Sequence, residues 1–162
     1  MAARDIIAVC QDGITRFPND CAGFVRSIAN ASGVLLFGNA NAIVLNLGAG
    51  RRLHDGVAAQ RAAAAGELVI GGVQESGHGH VVVVVDGPMN RGRYPYAFWG
   101  QYHGLTISRE TTNVGFTRGH GTINYAFNAA TRDSVQYAAF TPVAGLLPSA
   151  TPGKGLLVHI FT

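Results

Sequence analysis

The sequence predicts an α+β fold in which N-terminal helices pack on a largely antiparallel β-sheet. Three observations carry this. Residues 19–33 repeat apolar side chains at helical spacing; residues 79–86 form a β-branched run bounded by glycine; and the pattern switches from the first kind to the second near Glu67.

The first of these segments has marked ends. Asn19 or Asp20 can cap the free amides at its start, and Gly33 can take the left-handed conformation that closes it. Cys21, Phe24, Val25, Ile28 and Ala29 fall at i, i+3, i+4, i+7 and i+8, one apolar face, so Cys21 sits in the first turn of a core-packed helix. Residues 39–47 read as a second helix ended by Gly48, and residues 58–65 as a short Ala-rich third ended by Gly66. Residues 68–70 and 79–86 then read as strands buried on both faces. Gly87-Pro88 makes a turn, and residues 93–102 form an aromatic-rich strand. Residues 123–127 and 155–161 are two further strand candidates, residues 106–121 a long polar loop, and residues 141–153 an irregular stretch with three prolines.

Bulk properties set the limits. A chain of 162 residues fits one domain, and 48% hydrophobic against 13% charged residues is far from the signature of disorder. The net charge of +3 is mild and its arginines are scattered, without the dense basic stripe that nucleic-acid binding needs. It still favours encounter with an anionic polymer. No apolar run approaches a membrane span, and the N-terminal residues lack the pattern of a secretory signal peptide.

The chemistry-bearing residues are few. A nucleophilic cysteine needs its thiolate, and the amides and dipole of a helix N-terminus favour it, which singles out Cys21. Cys10 lies instead in the apolar segment Ile6-Ile-Ala-Val-Cys10. If the two cysteines were paired, Cys21 would be no nucleophile. His80 opens the most hydrophobic strand, directly after Gly79, and is the candidate base. A first-turn cysteine with a strand histidine is the papain arrangement in outline. The bland alternatives are a small buried cysteine and a strand-end histidine bonded to backbone. His78, His103 and His120 are further candidates, and His78-Gly-His80 has the look of half a zinc site; no other Cys or His is spaced to complete it, so neither metal nor cofactor is expected.

Asn19-Asp-Cys-Ala-Gly-Phe-Val-Arg-Ser27 resembles the nucleophile helix of NlpC/P60 peptidases, and Gly79-His-Val-Val-Val-Val84 is similar to their histidine strand. A closer resemblance is to the family-1 amidase effectors of type VI secretion. It extends through Gly38-Asn-Ala-Asn-Ala42, Glu67-Leu-Val-Ile-Gly-Gly72, Gly87-Pro88, Arg93-Tyr-Pro95 and Ile123-Asn-Tyr125.

That resemblance implies a papain-like NlpC/P60 fold over a single domain, residues 1–162. It implies a γ-D-glutamyl-meso-diaminopimelate DL-endopeptidase acting on the peptidoglycan stem peptide, with Cys21 as nucleophile and His80 as base. It further implies synthesis in the cytoplasm without a signal peptide, delivery by the type VI apparatus into a target cell's periplasm, and a cognate periplasmic immunity protein. Some relatives carry extra cysteines where this chain has Ala97-Phe-Trp99 and Val158-His-Ile160, so their disulfide does not carry over and Cys10 is expected free. The group that orients His80 stays open between Gln101, His103 and a backbone carbonyl. The competing readings are a housekeeping wall hydrolase or a deamidase on the same fold, or an inactive binding module.

Overall fold

The structure, a computed structural model, describes residues 3–100 and 119–143. Helix α1 (Ala3–Arg16) precedes α2 (Cys21–Ala31) and the short α3 (Ala40–Leu45). Strand β1 (Arg51–Leu53) and α4 (Gly56–Ala64) follow. The remaining strands are β2 (Leu68–Val73), β3 (His80–Val84), β4 (Tyr96–Phe98), β5 (His120–Thr122) and β6 (Gln136–Phe140). Among the described residues these make one six-stranded sheet in the order β1-β6-β2-β3-β4-β5, with every pairing antiparallel. The expected class, helices first and an antiparallel sheet after, is what the chain adopts.

The expected strands β2 and β3 are buried along their whole length, as continuous apolar runs require. Their two faces close two cores. On one, Val81, Val83 and Val85 meet α1, α2 and α3 through Cys10, Phe24, Val25, Ile28 and Ile43. On the other, Val82 and Val84 pack with Ala59 and Ala63 of α4 and with Trp99, Ile123 and Phe127. Fully burying a Val, Ile or Phe contributes about 1.5–3 kcal/mol, so these central strands are what the helices are held against.

The predicted helix ends are realised in detail. Asp20 caps α2, its carboxylate accepting from the Gly23 amide at 2.8 Å. At the other end Gly33 turns to φ +78°, and the amides of Gly33 and Val34 reach back to the carbonyls of Asn30 and Ala29. The second helix is shorter than expected: it is capped by Asn39, stops at Leu45, and gives way to a 3-10 turn, Leu47–Ala49, that runs through Gly48.

Four segments differ from expectation. The aromatic strand expected over residues 93–102 spans Tyr96–Phe98 among the described residues, with a turn before it. The apolar stretch around Cys10 belongs to α1, which buries Ile6, Val9 and Cys10 on one face. Residues 123–127, expected as a strand, contain a 3-10 helix, Ile123–Tyr125. The Ile123 amide bonds the Pro95 carbonyl, and the amides of Ala126 and Phe127 turn back to the Ile123 carbonyl, so the neighbours Ile123 and Asn124, and Ala126 and Phe127, are buried in pairs where a half-exposed strand would bury every second residue. The end of the expected polar loop, His120 and Gly121, is in β5. Residues 106–118 of that loop, the candidate strand at 155–161, most of the irregular stretch at 141–153, and Gln101, Tyr102 and His103 lie outside the described residues. Among the described residues no helix is long and apolar enough to cross a membrane.

Candidate active site

Cys21 is the first residue of α2 and is 2% exposed. The Asp20 carboxylate takes the third amide of the helix, Gly23, which leaves the amides of Cys21 and Ala22 free to turn toward the sulfur. A third amide, that of Val81 in β3, reaches the sulfur from the sheet. This is the physical link between the two predicted site residues: the amide that faces the thiol belongs to the residue that follows His80. His80 itself is 2% exposed and sets its ring edge-on to Phe127, 5.1 Å between centroids.

The electrostatics of the thiol differ from the expectation of a helix-lowered pKa. The three amides do lower it, but removal from water acts more strongly, and the Asp20 charge adds to the rise, so the pKa is pushed up to about 11. The sulfur therefore keeps its proton at neutral pH until a base takes it. Cys10 is raised further by complete burial in an apolar setting. Neither cysteine is oxidised: both are free thiols, so the disulfide that would have disabled Cys21 is not formed.

These shifts carry a stability prediction. Unfolded thiols ionise near the ordinary value of 9.0, whereas folded Cys21 holds its proton to about 11 and Cys10 beyond that. Above pH 9 the unfolded chain thus binds fewer protons than the folded one, and stability falls as pH rises. Urea unfolding at pH 8 and pH 10.5 is expected to show a loss approaching roughly 1.4 kcal/mol per pH unit for each thiol, with Cys10→Ala flattening the slope. A stability that is level across this range would contradict the buried thiols.

An open cavity of about 420 Å³ lies at Cys21, walled by the Arg16–Cys21 segment and by His78. His78 is thus at the mouth of the site, its Nδ1–H directed to the Gly79 carbonyl at 2.5 Å. His120 is elsewhere, sharing a 2.6 Å hydrogen bond with the Tyr96 hydroxyl and lying against the Phe98 ring. Trp99 is fully buried core. A smaller hollow of about 180 Å³ between α4 and the Arg132–Asp133 turn is polar but has no cysteine near it. Among the described residues no cluster of His, Cys, Asp and Glu is close enough to hold a metal.

The closing element of the site escaped the sequence reading. Gly100, at the end of the β4 segment, lies so close to the turn before α2 that a Cβ there would stand 2.6 Å from the Asp20 carbonyl oxygen and 2.7 Å from that of Phe17. A glycine after an aromatic strand is the only signal the sequence offers for this contact.

No family model matches the chain. The peptidoglycan amidase Tse1 of Pseudomonas aeruginosa is 35% identical to it over 135 residues, 82% of this chain and 82% of that protein. The chain belongs to the family-1 amidase effectors of type VI secretion. Its helices-first, antiparallel α+β architecture is the papain-like fold expected of these effectors.

Proposed function

We propose that the protein is a peptidoglycan amidase effector that uses Cys21 as nucleophile and His80 as base to cut the γ-D-glutamyl-meso-diaminopimelate bond of the stem peptide. The observation that carries this reading is a thiol at the first residue of a helix, met by the amide next to His80 and opening on a cavity. Kinship with a protein named as a peptidoglycan amidase supports the substrate class.

In this mechanism the sulfur attacks the amide carbonyl carbon as its proton passes to the His80 imidazole. The oxyanion of the tetrahedral intermediate is met by the backbone amide of Cys21, already directed to the reacting end of the helix. Collapse breaks the C–N bond, and the imidazolium gives its proton to the departing amine. Water, deprotonated by the same imidazole, then attacks the thioester and releases the carboxylic acid and the free thiol. A thiol protonated at rest suits this sequence, because the proton is transferred as bonding begins.

The same reading makes residues 1–162 one amidase domain, delivered by the type VI apparatus into the periplasm of a neighbouring cell and countered there by a periplasmic immunity protein. The deciding experiment digests purified diaminopimelate-type sacculi with the wild-type protein and with Cys21→Ala, and reads the released muropeptides by mass. Products divided between D-Glu and diaminopimelate, and lost in the variant, are expected. Intact stem peptides after treatment with folded wild-type protein would sink the amidase reading; cleavage at another amide would retain the nucleophile and replace the bond.

A further inference from the structure

We propose that Asn41 is a positioning residue for the site: its side-chain amide holds the loop between β2 and β3, residues 74–79, and through that loop fixes His80 and His78. The inference rests on the reading of Cys21 and His80 as the reacting pair.

Asn41 stands in the first turn of α3, half-buried. Its Nδ2 donates to the Glu75 carbonyl at 2.8 Å, and its Oδ1 accepts from the Glu75 amide at 3.0 Å. One side chain therefore satisfies both backbone groups of a single loop residue, as a neighbouring strand would, from a helix 34 positions away in the chain. The far end of the loop is fitted to the same amide. A Cβ on Gly79 would lie 2.4 Å from Asn41 Oδ1 and 2.4 Å from the Val73 carbonyl oxygen, so only glycine lets the returning chain pass between them. Val73 pairs with His80 in the β2–β3 register. Asn41 thus ties the loop at Glu75, just after β2, and lies against it at Gly79, the residue immediately before His80.

What hangs on the loop is the chemistry. Residue 78 walls the cavity at Cys21, residue 80 is the base, and the amide of residue 81 faces the sulfur. Loops are positioned by the few polar bonds that tie them down, and a displacement near 1 Å of a catalytic group is enough to cost roughly 100-fold in rate. The neighbouring Asn39 caps the helix at the Ala42 amide and, among the described residues, makes no side-chain bond to the loop. Of the two asparagines in the Gly38–Ala42 motif, one therefore serves α3 and the other serves the site.

The test compares wild type, Asn41→Ala, Asn41→Asp and Asn39→Ala for stem-peptide turnover, for thermal stability, and for the pH profile of Cys21 alkylation by iodoacetamide read at the peptide level. Asn41→Ala is expected to lower kcat roughly 10- to 100-fold with a smaller change in KM, and to displace the alkylation profile from that of wild type. Asn39→Ala is expected to lower stability alone. In Asn41→Asp the ionised carboxylate keeps only the acceptor bond to the Glu75 amide, while the neutral acid regains a donor toward the carbonyl. Its turnover relative to wild type is therefore expected to climb as pH is lowered from 8 to 5. Asn41→Ala with wild-type kcat and an alkylation profile that overlays wild type overturns the inference. Because alkylation needs no substrate, an overlaid profile overturns it even if sacculi prove not to be cut, an outcome that by itself counts against the amidase reading alone.

Discussion

His80→Ala is expected to lower turnover at pH 7 on the order of 10⁴-fold and to make the remaining activity rise about tenfold with each pH unit. The size follows from the thiol. With a pKa of about 11, only about one sulfur in 10⁴ is ionised at pH 7 without help from a base. Take the imidazole away and the reaction is left to that fraction, which grows tenfold per unit until the pKa is reached. In the proposed mechanism Cys21→Ala removes the bond-forming atom itself, and the double variant is expected to be no slower than Cys21→Ala, because two groups that act as one unit do not add. Steady-state turnover of the three variants between pH 6 and pH 10 checks this. A His80→Ala protein that keeps a tenth of wild-type activity at pH 7, or whose activity is flat with pH, would mean that another group takes the proton, and His78, at the cavity mouth, would be the next residue to replace.

What could be read from the sequence was whatever depended on local pattern. α2 announces itself because its cap, its closing glycine and its apolar face all agree, and Phe24, Val25, Ile28 and Ala29 are each fully buried as that face requires. β3 is similarly plain, since five successive valines can be hidden only in a strand covered on both sides. β6 was not legible. Its Gln136-Tyr-Ala-Ala-Phe140 has weak strand propensity, and it is a strand because it lies between β1 and β2 and pairs with both. β1 opens with two exposed arginines, one of them paired with Glu67 at 2.6 Å, and no alternation betrays it. α1 hides behind Gly13, an unfavourable helix residue at the contact of α1 with α2, where a Cβ would stand 2.7 Å from the end of the Ile28 side chain and would push it aside.

The candidate site divides along the same line. Cys21 and His80 could be chosen from their local settings, a helix start and a strand start. The protonation of Cys21 could not, because it is decided by desolvation, which is a property of the assembled core and outweighs the helix amides that the sequence does reveal. Nor could the contacts that fix the two residues relative to each other. Asn41 and Gly79 are separated by 38 positions, and Gly100 and Asp20 by 80; each pair meets only once the sheet is formed.

Gly100→Ala is the sharpest test of that last contact, and it is expected to cost about 100-fold in kcat while leaving the fold intact. The new methyl would meet three backbone atoms of one turn: the Asp20 carbonyl oxygen at 2.6 Å, the Asp20 carbonyl carbon at 2.7 Å and the Phe17 carbonyl oxygen at 2.7 Å. Backbone cannot rotate aside as a flexible side chain would, so either the strand end or the turn must move. The strand end is the stiffer of the two: Trp99 is fully buried and its amide is tied to the Gly119 carbonyl at 2.9 Å. The turn yields, and it carries the Asp20 cap and Cys21 with it. Overpacking of this kind costs about 1–3 kcal/mol, a modest loss beside the effect of moving the proposed nucleophile by the better part of an ångström. Gly48→Ala supplies the control, since a Cβ there meets nothing within 4 Å and kcat should stay at the wild-type value. If Gly100→Ala were to lose stability while keeping full kcat, the turn before α2 would be shown to shift without disturbing the sulfur, and the position of Cys21 would have to be credited to the Val81 amide and the helix core instead.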